Sequence, residues 1–309
     1  MQLKIPILYV TMAGVSISVL SMKINKTKLL FLTTAGAGIL ALNLAFAHSI
    51  IIGVIGFFLY FSGLTTALGQ TLRKKTESPY CFLWSGLATL FIFSLLGAAF
   101  YYPYAINNLS SLLILALPLV IFIAKFEPVY LKKIIWQSES LTIISSLIGF
   151  GLLETILFIT IIARRTTDVM PSPWQAVGIE FFAAYFAATG LLLYFVWRAK
   201  NTWLKYGLTV SHLFLTYSVA AIIYPLGFGF DGFIHRATEV WIQNNGFITP
   251  KQPYYIGQYS LIVWLSNLTA IPIFYLDIYF VPLLSALTLP GVVSHSLTSL
   301  WSIPRRYAL

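Results

Sequence analysis

The stretch LTIISSLIGFGLLETILFITIIA, residues 141–163, decides the fold class of this chain. Its only ionisable side chain is Glu154, and every flanking position is apolar or a small neutral residue. About 20 such residues are enough for a helix to cross the roughly 30 Å hydrocarbon core of a bilayer. Because each backbone group must find its partner inside lipid, we interpret the stretch as a transmembrane helix.

Similar apolar runs recur along the whole chain of 309 residues, which is 59% hydrophobic and only 9% charged. A soluble domain carries about 25% charged residues, so this chain needs lipid as its solvent. The sequence predicts an all-α, polytopic membrane protein with about nine or ten transmembrane helices and one amphipathic surface helix. The predicted spans are 5–22, 29–47, 49–69, 81–102, 110–124, 141–163, 177–197, 207–228, 258–278 and 280–298; the fifth is short enough to be re-entrant.

The net charge of +10 comes from Lys and Arg in short connectors between apolar runs. This distribution indicates membrane topology rather than nucleic-acid binding, because basic connectors stay on the cytoplasmic side. The alternate connectors are basic, which places them in the cytoplasm and the loop 229–257 outside it. We expect a multi-pass protein of the plasma (inner) membrane. The basic connectors are 23–28, 73–75, 125–133 and 198–205.

The loop reads FDGFIHRATEVWIQNNGFITPKQPYYIGQY, residues 230–259, and is the one long segment that is not lipid-like. Asp231 is a good helix N-cap, and the sequence Asn-Asn-Gly at 244–246 is a good helix stop. The loop therefore predicts a helix over 232–244. Polar residues gather on one side of that helix and apolar residues on the other, as in a helix that lies on a membrane surface.

Asp231, His235 and Glu239 are spaced four residues apart, so their side chains share one stripe of the predicted helix. A carboxylate beside a histidine suits general-base activation of a hydroxyl. Arg236 and Lys251 are cations that could bind a phosphate. Alternatively, Asp231, His235 and Glu239 could hold a divalent metal. A third interpretation is that the charges only face water and Asp231 only caps the helix.

Two ionisable residues lie inside predicted spans. Glu154 is near the centre of its span, where a charge is costly and often functional. The alternative is a protonated Glu154 bonded to a neighbouring helix, and in either case we expect it to face protein rather than lipid. His212 has hydroxyl neighbours in its own span, so we expect a hydrogen-bonded structural histidine.

The segment FDGFIHRATEVWIQNNGFITP, followed by YYIGQYSLIVWLS, resembles the first extracytoplasmic loop of GT-C-fold membrane glycosyltransferases. The resemblance covers about residues 207–298. It implies transfer of a sugar at the extracytoplasmic face, usually from a polyprenyl-phosphate donor and sometimes from a nucleotide sugar, with Asp231 as catalytic acid or base. By the same resemblance His235 and Arg236 would contact the donor phosphate. Glu239 would be a supporting carboxylate.

In that family the loop follows the first span, whereas here it follows the eighth. We therefore expect an N-terminal module of about seven helices at 1–206 and a GT-C-like segment with a terminal helical hairpin at 207–309, as in a truncated member of the family. The alternative is a non-catalytic multi-pass protein, either a transporter or an assembly partner. Glu154 and His212 motivate that alternative, since ionisable groups inside membranes often line pathways.

Overall fold

A computed structural model describes residues 10–11, 14–15, 26–76, 81–125, 139–227, 231–251 and 254–300. Within these residues the chain forms ten α-helices, which confirms the predicted all-α class. A five-residue π-helical segment, Asn43–Ala47, continues α1. The helices are α1 Lys26–Leu42, α2 Ile50–Thr76, α3 Cys81–Tyr101, α4 Asn108–Lys125, α5 Leu141–Ala163, α6 Ile179–Arg198, α7 Thr202–Ile223, α8 Gly232–Asn245, α9 Ile256–Thr269 and α10 Ile273–Ser299.

Seven helices of the described ranges are long and apolar enough to cross a membrane, which confirms an integral, multi-pass membrane protein. They are α1 with its π-helical extension, α2, α3, α5, α6, α7 and α10. The apolar part of α4, Asn108–Phe122, is shorter, as expected for the fifth predicted span. Of the first predicted span, 5–22, only Val10–Thr11 and Gly14–Val15 are described, and they pair as short antiparallel strands. The remainder of that span lies outside the described residues.

The last two predicted spans are divided differently in the structure. The sequence predicted helices at 258–278 and 280–298, but the chain breaks at 270–272. Ala270 adopts the left-handed conformation with φ 57°, and Pro272 lacks the N–H that would continue α9. Helix α9 is therefore about 21 Å long, too short to cross the hydrocarbon core. Helix α10 continues for 27 residues and contains two prolines.

The chain forms two compact units. The first, called here the α8 unit, consists of residues 23–130 and 229–280. The second, called the α5–α7 unit, consists of residues 1–22, 131–228 and 281–309. Each unit combines early and late segments of the chain, so neither corresponds to the predicted modules on the two sides of residue 206.

Helices α1 to α4 form an antiparallel bundle in the α8 unit. Helices α1 and α2 are in close contact at Gly36. A Cβ at this position would lie only 2.5 Å from the backbone nitrogen of Tyr60, so the contact depends on glycine. One helical turn away, Gly63 faces Thr33, and this order of contacts shows that the two helices run in opposite directions. The Tyr60 hydroxyl donates to the Leu115 carbonyl at 2.5 Å and ties α2 to α4.

Helix α9 packs against this bundle, and its C-terminal half lies at one end of it, which we call the α9 end. The Trp264 indole donates to the carbonyl of Ser111 in the first turn of α4, at 3.1 Å. The Asn43 amide, just after α1, donates to the Leu268 carbonyl at 2.9 Å. A Cβ on Gly53, in the first turn of α2, would overlap the backbone of α9. These contacts lie just after the end of α1 and in the first turns of α2 and α4, so the C-terminal half of α9 packs at this end of the bundle.

Candidate functional site

Helix α8 begins and ends as the sequence predicted. It spans Gly232–Asn245, and Gly246 ends it with φ 83° while donating its N–H to the Ile242 carbonyl at 2.7 Å. Asp231 stands immediately before the helix with its side chain exposed, but this side chain makes no capping hydrogen bond. The carboxylate of Asp231 is therefore available to solvent or to a ligand at the head of the helix.

The polar side of α8 faces the protein, and its apolar side faces outward. Glu239 and Ile242 are buried, while His235, Arg236 and Gln243 are half-buried. The interpretation that these charges simply face water is therefore wrong for Glu239 and Arg236. An exposed apolar side on a membrane protein fits a helix that contacts lipid. The large exposed residues of that side are Phe233, Ile234, Val240 and Trp241.

Arg236 connects α8 to the first turns of α10. Its Nε lies 3.3 Å from Oδ2 of Asp277, and the two side chains are 17% and 11% exposed. The guanidinium also lies 4.6 Å from the ring centroid of Phe274, a cation–π contact. Removing one partner of so shielded a pair would leave a charge uncompensated, which is strongly destabilising.

Glu239 is the most unusual group on α8. Its side chain is completely buried, and neither carboxyl oxygen has a hydrogen-bond partner among the described residues. Burial and then the nearby charge of Asp277 raise its pKa to about 8, while Arg236 acts in the opposite direction. Glu239 therefore holds a proton at neutral pH, because a buried and unpaired carboxylate is costly.

His235 is held by two tyrosines that precede or begin α9. Its Nδ1 lies 2.6 Å from the hydroxyl of Tyr259, and its ring centroid is 4.7 Å from that of Tyr255. Burial, followed by the charge of Glu239, raises the pKa of Tyr259 above its ordinary value. Tyr259 therefore keeps its proton, and its hydroxyl can donate to Nδ1; in that tautomer Nε2 of His235 carries the ring hydrogen.

Lys251 has a structural role that the sequence did not predict. Its Nζ lies 2.8, 2.8 and 3.0 Å from the carbonyl oxygens of Tyr101, Tyr102 and Tyr104. The ammonium is also 5.1 Å from the ring centroid of Phe247. An ammonium group has three donors, and all three are used here. The predicted phosphate contact of Lys251 is not supported, since this side chain fastens the loop after α8 to the end of α3.

The predicted metal site of Asp231, His235 and Glu239 is not formed. No three His, Cys, Asp or Glu side chains of the described ranges come together as metal ligands. Eight helical residues separate the two carboxylates by about 12 Å along the axis, too far for one ion. In addition, Asp231 is exposed whereas Glu239 is buried.

A second polar cluster lies inside the α5–α7 unit. Glu154 is 6% exposed and faces protein, which confirms the prediction, and its Oε1 lies 2.6 Å from Nδ1 of His212. The other ring nitrogen of His212 lies 2.9 Å from Oγ1 of Thr189. The ring of Tyr185 stacks on the imidazole at 4.8 Å. His212 is thus hydrogen-bonded on both sides within the spans.

The sequence did not identify the partners of these groups. Asp277 lies 41 positions after Arg236, and His212 lies 58 positions after Glu154. One signal could have suggested the first pair. An arginine on the buried side of a helix requires a carboxylate, and Asp277 is the next acidic residue after Glu239 in the sequence.

No family model, curated protein or solved structure matches this chain. Fold and composition define an integral, multi-pass membrane protein with two buried polar clusters.

Proposed function

We propose that the protein transfers a sugar from a polyprenyl-phosphate donor, with the reaction at the head of α8. The observation that carries the proposal is the position of Asp231. This exposed carboxylate stands before a helix whose outward side is apolar and whose inward side holds His235 and Arg236. The resemblance of the loop to that of GT-C-fold glycosyltransferases supports the same assignment.

In the proposed reaction an acceptor hydroxyl gives its proton to the carboxylate of Asp231. The hydroxyl oxygen forms a bond to the anomeric carbon of the donor sugar. The bond between that carbon and the phosphate oxygen breaks, and its electron pair leaves with polyprenyl phosphate. The apolar side of α8, including Phe233 and Trp241, keeps the reaction beside lipid, where the donor chain remains.

The other polar residues of α8 have different roles in this proposal. His235 offers Nε2–H to the donor phosphate, because Nδ1 is occupied by Tyr259. Arg236 fixes the position of α8 through its ion pair with Asp277. Glu239 is a positioning residue rather than a catalytic one, since it is completely buried and touches no substrate.

The test uses the full chain in lipid nanodiscs with a panel of radiolabelled polyprenyl-phosphate monosaccharides. The measurement is release of polyprenyl phosphate, with and without soluble acceptors. Asp231→Asn should fold normally but lose about 10²–10⁴-fold in rate, the usual effect of removing a general base. The matched control is Asp168→Asn, since Asp168 is also exposed but lies in the α5–α7 unit. Equal rates for Asp231→Asn and the wild type, or no turnover of any donor, would contradict the proposal.

The alternative function is proton-coupled transport through the α5–α7 unit. The observation in its favour is the short contact between Glu154 and His212 within two spans. Such a pair can take up and release a proton as a solute crosses the membrane. Proteoliposomes containing a pH-sensitive dye would report proton entry, and Glu154→Gln should abolish it while Glu180→Gln, at an exposed helix start, should not. Absence of proton movement in the wild type, under a pH gradient with candidate solutes, would exclude this function.

A further inference from the structure

A polar cavity lies at the α9 end of the α8 unit. Its volume is about 290 Å³, and it is separate from the head of α8. None of its lining residues is Asp, Glu, Lys or Arg. Three carry side-chain amides, one carries a hydroxyl and one an imidazole, and the others are apolar. The lining residues are Leu44, His48, Asn108, Gln243, Ser266, Asn267, Ala270 and Pro272.

Six helix ends meet around this cavity, and their partial charges balance. Helices α2, α4 and α10 begin beside it, whereas α1 with its π-helical segment, α8 and α9 end beside it. A helix start carries about half a positive charge and a helix end about half a negative charge. With three of each, and with no Asp, Glu, Lys or Arg side chain in the lining, the cavity favours a neutral ligand over an ion.

Two of the three amide groups of the cavity, those of Gln243 and Asn267, are held by hydrogen bonds. Nε2 of Gln243 donates to Oγ of Ser266 at 3.0 Å and to Oδ1 of Asn267 at 3.2 Å. Asn267 donates in turn to Oγ of Ser111 at 3.3 Å, and Ser266 donates to the carbonyl of Ile271 at 2.8 Å. Both amide hydrogens of Gln243 are used in these bonds, and its Oε1 is an acceptor. Preorganised polar groups of this kind favour binding, since little is lost in ordering them.

On the open side the cavity presents the exposed side chains of His48 and Asn108. An amide carries both donors and acceptors, and so does a pair of neighbouring hydroxyl groups. The apolar part of the lining, Leu44, Ala270 and Pro272, suits the C–H face of a ring. The volume of the cavity corresponds to about ten water molecules, which is enough for one sugar ring but not for an extended chain.

We propose that this cavity binds a single neutral sugar ring. The ring can belong to a soluble glycan or to the headgroup of a glycolipid, since the cavity would form hydrogen bonds with sugar hydroxyl groups in either case. This assignment does not rest on glycosyl transfer at Asp231. Gln243 lies twelve positions after Asp231 on the same helix, about 18 Å along its axis.

The test is binding of methyl glycosides to the full chain in phosphatidylcholine nanodiscs, measured by saturation-transfer NMR and calorimetry. A parallel arm uses nanodiscs that contain monoglycosyl diacylglycerol, and a control titration uses inorganic phosphate. Asn108→Trp should fill the cavity from the first turn of α4 without disturbing the fold. Leu109→Trp is the matched control, because Leu109 is 56% exposed and lies outside the cavity lining.

We expect a glycoside or the glycolipid to bind the wild type and Leu109→Trp equally, and Asn108→Trp at least tenfold more weakly. Binding in only one arm would identify the source of the sugar and would support the proposal. Three results would overturn it: no binding in either arm, binding that Asn108→Trp leaves unchanged, or binding of phosphate at this site in preference to a glycoside.

Discussion

Replacing Glu239 with Gln should stabilise the protein, and the gain should grow as the pH rises. Glu239 is completely buried, without hydrogen-bond partners for its oxygens, and its pKa is raised from 4.5 to about 8. The unfolded chain therefore gives up this proton near pH 4.5, whereas the folded protein keeps it until about pH 8. Stability is lost over this interval as the pH rises, because the folded state binds the proton more tightly.

The size of the effect follows from the two pKa values. Each pKa unit corresponds to 1.36 kcal/mol, so the full difference is about 5 kcal/mol. Between pH 5 and pH 9 the wild type should lose about 4 kcal/mol of unfolding free energy through this group. Glu239→Gln has no proton to lose, so its advantage over the wild type should increase by that amount.

The assay is equilibrium unfolding in mixed micelles, followed by tryptophan fluorescence at pH 5, 7 and 9. The control is Glu180→Gln, because that carboxylate is 59% exposed and paired with Arg164 at the surface. The difference in unfolding free energy between Glu180→Gln and the wild type should change little with pH. A constant difference between Glu239→Gln and the wild type across the three pH values would refute the reasoning. It would mean that Glu239 is solvated or paired when ionised.

Three further predictions concern other parts of the molecule. Glu154→Leu should cost on the order of 1 kcal/mol by unfolding, since it removes the partner of His212, whereas Glu154→Gln should cost less; a more stable Leu variant would contradict this. Lys251→Met should cost about 1.5–3 kcal/mol by the same assay and speed proteolysis after α8, because three carbonyls lose a charged donor; unchanged proteolysis would count against the structural role. Trp241→Phe should reduce the fluorescence quenching by brominated lipids more than Trp264→Phe does, because Trp241 is 55% exposed and Trp264 is buried; an equal effect of the two substitutions would place Trp241 away from lipid.

The sequence was sufficient to predict the fold class and the bounds of α8. Apolar length identified the spans, and the Asn-Asn-Gly stop placed the end of α8 within one residue. The helical spacing of polar and apolar residues also predicted that α8 has two different sides. This spacing could not show which side turns inward, because that depends on Asp277 and Tyr259, which lie far away in the sequence.

The sequence pattern also did not predict the break in the chain after α9. Apolar residues continue from 258 to 278, so hydropathy gives no sign of an interruption. The break is stabilised by side chains: Oγ of Ser266 donates to the Ile271 carbonyl, and the Ile271 N–H donates to Oγ1 of Thr269. Pro282 and Pro290 do not interrupt α10, as in the predicted span 280–298, which includes both.

The contact of α9 with one end of the bundle has a consequence for biosynthesis. Asn43 and its partner Leu268 are separated by 225 positions, which a ribosome takes about 10–45 s to translate at 5–20 residues per second. During that time α1 to α4 can enter the membrane, but the groups that will receive α9 have no partner from it. Helix α9 can therefore pack at this end only late in synthesis of the chain. Until then, the amide of Asn43 and the carbonyl of Ser111 lack the partners that α9 supplies.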